Sequence, residues 1–119
     1  MTRVAARPYG LPRQALDRLL TVFRDWPQIE RVTLFGSRAR GDFRPGSDID
    51  LCLHGASLGL SELLAIAGQI DDLLLPWTMD LSLWHQLDDP ALRDQIARDG
   101  VVFYERRADR DPATGTQGI

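Results

Sequence analysis

The apolar run Val32-Thr33-Leu34-Phe35 stops at Gly36-Ser37, and ten residues later the chain resumes as Asp48-Ile49-Asp50-Leu51. The first segment reads as a strand that delivers the chain to a sharp bend. There, backbone N–H groups and the Ser37 hydroxyl can approach an anion where a helix begins. In the second segment the two-residue period of a strand puts both carboxylates on one face and both apolar side chains on the other. Two carboxylates in one cleft repel each other and call for a cation, and an all-oxygen site suits Mg²⁺. A phosphate-cradling turn beside a Mg²⁺ site points to nucleotide chemistry.

The flanking residues predict alternating helices and strands. Residues 1–10 read as a flexible leader. Leu16, Leu19, Leu20 and Phe23 then recur at helical spacing, and Pro27 ends the helix. Ile29 to Phe35 reads as a strand, residues 42–47 as a turn containing Pro45 and Gly46, and Asp48 to Leu53 as the strand carrying the acids. A helix is expected from about Leu60 to Leu75, with Leu60, Leu63, Leu64, Ala67 and Leu74 on one face and Ser61 near its cap; Pro76 stops it. Trp77 to Trp84 alternates as a third strand that points Asp80 toward the polar side. Asp89-Pro90 opens a last helix with Leu92 and Ile96 on one face, Gly100 closes it, and Val101 to Tyr104 forms a short strand. The class is therefore α/β, with one domain over residues 11–105 and a mobile tail over 106–119.

Size and charge remove several functions. At 119 residues the chain holds one domain, so the group that accepts a transferred nucleotide must mostly be carried by another molecule. All 14 basic residues are arginine, which excludes a Walker-A lysine, a Schiff-base lysine and a lysine adenylate. A net charge of −3 argues against stable binding of duplex nucleic acid. No apolar run has the length of a membrane span and the N-terminus lacks a signal-peptide pattern, so a cytoplasmic location is expected. The single cysteine, Cys52, reads as core; His54 and His85 as loop or surface residues; Trp26, Trp77 and Trp84 as packing; and the arginines at 106, 107 and 110 as a solvated tail.

Asp80 supplies a third carboxylate if its strand lies beside Asp48-Ile49-Asp50. Three carboxylates can hold two ions about 4 Å apart, which stabilise both oxygens of an in-line displacement at phosphorus. Asp48 and Asp50 would share the ions, while Asp80 would hold the one nearest the acceptor and receive its proton. Arg38 and Arg40, and less directly Arg44, lie where a guanidinium could neutralise the leaving pyrophosphate. Asp42 reads as a turn residue.

The Gly-Ser turn, the ten-residue spacing to Asp-x-Asp and the later acid resemble the nucleotidyltransferase superfamily that includes DNA polymerase beta. Over about residues 11–106 the chain is most similar to its minimal members, the MNT-domain proteins. The match lies in Gly36-Ser37-Arg38-Ala39-Arg40-Gly41, in Ser47-Asp48-Ile49-Asp50-Leu51 and in Arg98-Asp99-Gly100-Val101-Val102-Phe103-Tyr104-Glu105-Arg106. The resemblance implies a nucleotidyltransferase fold with a short mixed sheet of about four strands. It also implies Mg²⁺-dependent adenylyl transfer from ATP, with Asp48, Asp50 and Asp80 as catalytic metal ligands for two Mg²⁺ ions. Gly36, Ser37, Arg38, Arg40 and Ser47 are then the nucleotide-binding residues. Such proteins are commonly antitoxins in a hetero-oligomer with a HEPN-domain ribonuclease toxin, a tyrosine of which they adenylylate. Two alternatives stand beside this expectation: an antitoxin that inhibits its partner by binding alone, and transfer to a small molecule such as an aminoglycoside.

Overall fold

The structure, a computed structural model, describes residues 8–106. The first seven residues of the expected leader lie outside the described residues, as does the tail from 107 with Arg107 and Arg110. Residues 8–10, expected to be loose, form a 3₁₀ turn, and Tyr9 packs on the core.

Helix α1 (Arg13–Arg24) buries Ala15, Leu16, Leu19, Val22 and Phe23. Strand β1 (Arg31–Phe35) enters the short helix α2 (Ser37–Arg40), and a loop leads to strand β2 (Ile49–His54). Helix α3 (Leu60–Asp71) then carries the chain to strand β3 (Met79–Leu83). A 3₁₀ turn at Trp84–Gln86, helix α4 (Pro90–Asp99) and strand β4 (Val101–Glu105) complete the order. The Asp89 carboxylate caps α4 by accepting from the Ala91 and Leu92 N–H groups, the role expected of Asp89-Pro90. The four strands run in the order β3-β2-β1-β4. β1 is antiparallel to β2 and β4, and β2 is parallel to β3, so the sheet is mixed as expected. None of the helices among the described residues is long and apolar enough to cross a membrane.

Strand alternation separates two faces. Val32, Leu34, Ile49, Leu51, Leu53 and Leu83 turn toward α1 and α3 and form the main core with Leu19, Phe23, Ile66 and Ile70. On the other face Phe35 and Cys52 pack with Ile96 of α4. Along this second face the register places Phe35 opposite Asp50 and Asp50 opposite Asp80, then Thr33 opposite Cys52 and Cys52 opposite Ser82. All three predicted carboxylates therefore fall at one end of the sheet, where β1 ends and β2 and β3 begin.

The sequence expectations for α3, for Arg106 and for His54 fail for identifiable reasons. Helix α3 stops at Asp71, and an i→i−3 turn follows in which Leu74 has φ 57 and is 87% exposed. Its core stripe runs through Leu63, Ile66 and Ile70 instead, leaving Leu60 and Leu64 in solvent, because the isoleucines one step around the helix face the sheet. Its N-cap is Gly59 rather than Ser61; the Glu62 carboxylate accepts from the Gly59 N–H at 2.8 Å. Arg106, expected to be solvated, donates to the carbonyls of Ile29, Arg24 and Trp26 and ties the end of β4 to the start of β1.

His54 is the third correction. It closes β2, shares a 2.9 Å hydrogen bond with the Thr33 hydroxyl and stacks 5.3 Å from Trp84. Burial, helped by the neighbouring Arg31 charge, pushes its pKa down from 6.5 to about 4. Between those values the unfolded chain binds a proton that the folded one does not, so stability falls as pH drops from about 6.5 to about 4. For a ring this exposed, solvent screening reduces the effect to the order of 1 kcal/mol. His54→Gln should lower Tm at pH 7, where it removes the stack, and should flatten the Tm profile between pH 6.5 and 4. An unchanged acid slope in a thermal melt series would contradict this assignment.

Candidate active site

Gly36 joins the turn to the acids. Its backbone has φ 78 and ψ −157, a region essentially restricted to glycine, and a Cβ there would overlap the Asp50 Oδ2 atom. The Asp50 carboxylate thus rests against the turn. The next residue begins α2, in which the Ala39 and Arg40 N–H groups donate to Gly36 O while those of Ser37 and Arg38 have no acceptor earlier in the helix. Ser37 is half-buried at that start.

Asp50 and Asp80 are register partners on adjacent parallel strands, and Asp48 precedes β2 at an exposed position. The Asp50 pKa is raised above the ordinary carboxylate value, first by burial and then by the charges of Asp80 and Asp48, while Arg40 opposes the rise. Asp80 and Asp48 thus both act on Asp50, and Arg40 lies within electrostatic reach of it. Arg40 is also held by Asp42, Nε to Oδ2 at 3.3 Å, an exposed pair that adds little stability.

Among the described residues, no three acidic, histidine or cysteine side chains stand close enough to form a complete set of metal ligands. Mg²⁺ seldom asks for one: it is typically held by one or two carboxylates, with waters and substrate phosphates filling its octahedron. An acidic cluster whose central member resists ionisation, open to solvent through Asp48 and Asp80 and set against a glycine turn, has the donor chemistry for that ion together with a polyphosphate.

Of the other two candidates, Arg38 is placed differently from expectation. Arg38 does not reach the cleft. It is 2% exposed and donates to backbone carbonyls of Ser47, Pro45 and Tyr9, with the Phe43 and Trp77 rings about its guanidinium. Four of its five N–H donors are thus committed to the protein's own carbonyls, and the side chain is buried away from a nucleotide. Ser47 closes the loop before Asp48: its hydroxyl accepts from the Arg44 N–H at 2.8 Å, which leaves its own O–H available. Sequence reasoning missed Tyr9, Phe43 and Trp77 as neighbours of this site, since convergence of distant carbonyls and rings on one arginine leaves no spacing signal.

Residues 17–109 match the family model described as polymerase beta, nucleotidyltransferase. Among solved structures, a chain of a toxin–antitoxin crystal structure with AMP-PNP superimposes with a TM-score of 0.63 at 23% identity, over 79% of this chain and 76% of that one. A chain from the tri-AMPylated Shewanella oneidensis HEPN toxin in complex with MNT antitoxin gives 0.60 at 20% identity, over 83% and 76%. A chain of the toxin–antitoxin MntA-HepT gives 0.58 at 20% identity, over 82% and 75%. At these identities the likeness is one of fold. No protein with a curated description matches the chain.

Proposed function

The chain belongs to the polymerase beta nucleotidyltransferase family, and from that premise we propose that it is a Mg²⁺-dependent protein adenylyltransferase, an antitoxin that moves AMP from ATP to a tyrosine of a HEPN-domain toxin. The observation that carries this reading is the register pairing of Asp50 with Asp80 next to Gly36, which puts acids and anion turn at one sheet end. The AMP-PNP and tri-AMPylated toxin complexes among the structures of like fold support nucleotide and partner.

In the proposed reaction Gly36, Ser37 and the opening N–H groups of α2 bind phosphate oxygens, with Ser47 at the rim. Asp48, Asp50 and Asp80 are the residues that would hold Mg²⁺ together with substrate phosphates, and the ion would supply charge neutralisation of the triphosphate. The tyrosine oxygen forms a bond to the α-phosphorus, the bond from that phosphorus to the bridging oxygen breaks, and pyrophosphate leaves. Asp80, at the open side of the cluster, takes the phenolic proton, and Arg40 faces the charge growing on the leaving group. An inhibitor acting by occlusion alone has no use for acids held where burial and neighbouring carboxylates raise the Asp50 pKa.

Intact mass measurement of a HEPN toxin co-produced with this chain tests the proposal. The wild-type chain should add whole AMP units to the toxin. Asp48→Asn should leave the toxin unmodified yet still co-purify with it. An unmodified toxin in a stable wild-type complex would instead establish the occluding inhibitor.

A further inference from the structure

Arg38 is a buried cation whose recorded hydrogen bonds all go to backbone carbonyls. Its Nε and Nη2 donate to Ser47 O at 3.1 and 2.9 Å, Nη2 also to Pro45 O at 3.0 Å, and Nη1 to Tyr9 O at 2.8 Å. The Phe43 and Trp77 ring centroids lie 5.0 and 5.8 Å from its Cζ, and the Trp77 indole N–H adds a second donor to Pro45 O at 3.0 Å. Carbonyl dipoles and ring faces offset the desolvation of the charge. Three segments meet on this one side chain. They are the turn at Tyr9, itself held at φ 59; the loop at Pro45 and Ser47; and the approach to β3 at Trp77.

The Ser47 carbonyl belongs to the peptide group that links it to Asp48, so two N–H bonds into that oxygen fix the plane from which Asp48 departs. Arg38 itself sits one residue after Ser37 on α2. The loop residues Arg44, Pro45 and Gly46 are exposed and have no core packing of their own to hold them. We propose that Arg38 is a positioning residue: it fixes the spacing between the Gly36-Ser37 turn and the carboxylates at Asp48 and Asp50, so that nucleotide and Mg²⁺ bind as one unit. This inference rests on the adenylyltransferase reading and moves Arg38 from phosphate ligand to brace. Lysine cannot replace it, because an ammonium lacks the fixed fork of donors that reaches three carbonyls at once.

Calorimetric titration of ATP with and without Mg²⁺ tests the inference on the full chain without using turnover. In the wild type Mg²⁺ should tighten ATP binding; in Arg38→Lys the ATP affinity without metal should persist while the Mg²⁺ enhancement falls about tenfold or more, as for other residues that orient metal ligands. Leu19→Ala, a core truncation in α1 that removes none of the Arg38 hydrogen-bond partners, serves as the control and should lower Tm yet keep the enhancement. Added guanidinium should restore the enhancement in Arg38→Ala, and methylammonium should not. Where Arg38→Ala does not fold, Arg38→Lys alone decides. An undiminished enhancement in Arg38→Lys, or equal loss of metal-free ATP binding, overturns the brace. A wild-type chain that binds ATP identically with and without Mg²⁺ overturns the adenylyltransferase reading instead.

Discussion

Asp50→Asn is expected to make the metal-free protein more stable while it abolishes transfer. Burial and two neighbouring carboxylates raise the Asp50 pKa, so the folded chain holds this proton more tightly than the unfolded one. Above the ordinary carboxylate range, ionisation of Asp50 therefore costs folding free energy, and a neutral isostere removes that cost. Relief of such a strained site is worth about 1 kcal/mol, or roughly 4 °C in Tm for a domain of this size. The same change removes the central member of the carboxylates proposed to hold Mg²⁺. Metal stabilisation of the transition state supplies several kcal/mol, so the transfer rate should fall about a thousandfold. Thermal melts in EDTA and rate measurements in Mg²⁺ check the two halves separately. A lowered Tm in EDTA would show that the carboxylate stabilises the apo fold and would undercut the electrostatic account of the cluster.

Gly36→Ala should fail in the opposite sense, losing both stability and nucleotide binding. The φ of 78 with ψ of −157 strains any residue with a Cβ, and the added methyl also meets the Asp50 carboxylate. The backbone term alone is of the order of 1–3 kcal/mol, so Tm should drop by roughly 10 °C. Because the methyl displaces Asp50 from the turn, the folded fraction should also lose the rise in Tm that MgATP gives the wild type by linkage. Differential scanning calorimetry with and without MgATP reads both. A Gly36→Ala protein that melts like the wild type and keeps its MgATP shift would contradict the close contact. The two variants together separate charge from space, since one removes the repulsion and the other removes the room.

Much of this site was legible because it is local. Gly36-Ser37 after an apolar run and Asp-x-Asp on a strand follow from turn chemistry and two-residue alternation, and the structure realises both within a few residues of the expected bounds. The pairing of Asp80 with Asp50 needed one further step, the parallel crossover through α3, which a helix between two strands makes the default. The face of α3 was misread because leucines at several phases offer competing stripes, and tertiary packing chose the one through Ile66 and Ile70. Arg38 and His54 were misread for a different reason. Their roles come from carbonyls, rings and hydroxyls brought in from distant segments, Tyr9 and Trp77 for one, Thr33 and Trp84 for the other. Charge in a sequence says that a group must be satisfied, and the fold decides by what.

The most direct test of adenylyl transfer is to incubate the purified chain, Mg²⁺ and a purified HEPN-domain protein with ATP labelled at either the α- or the γ-phosphate. Attack at the α-phosphorus predicts that α label becomes protein-bound while γ label is released in pyrophosphate, with neither retained on the protein when Asp48→Asn replaces the wild type. Label from the γ position on the protein, or free pyrophosphate formed with no α label bound to it, would contradict the account.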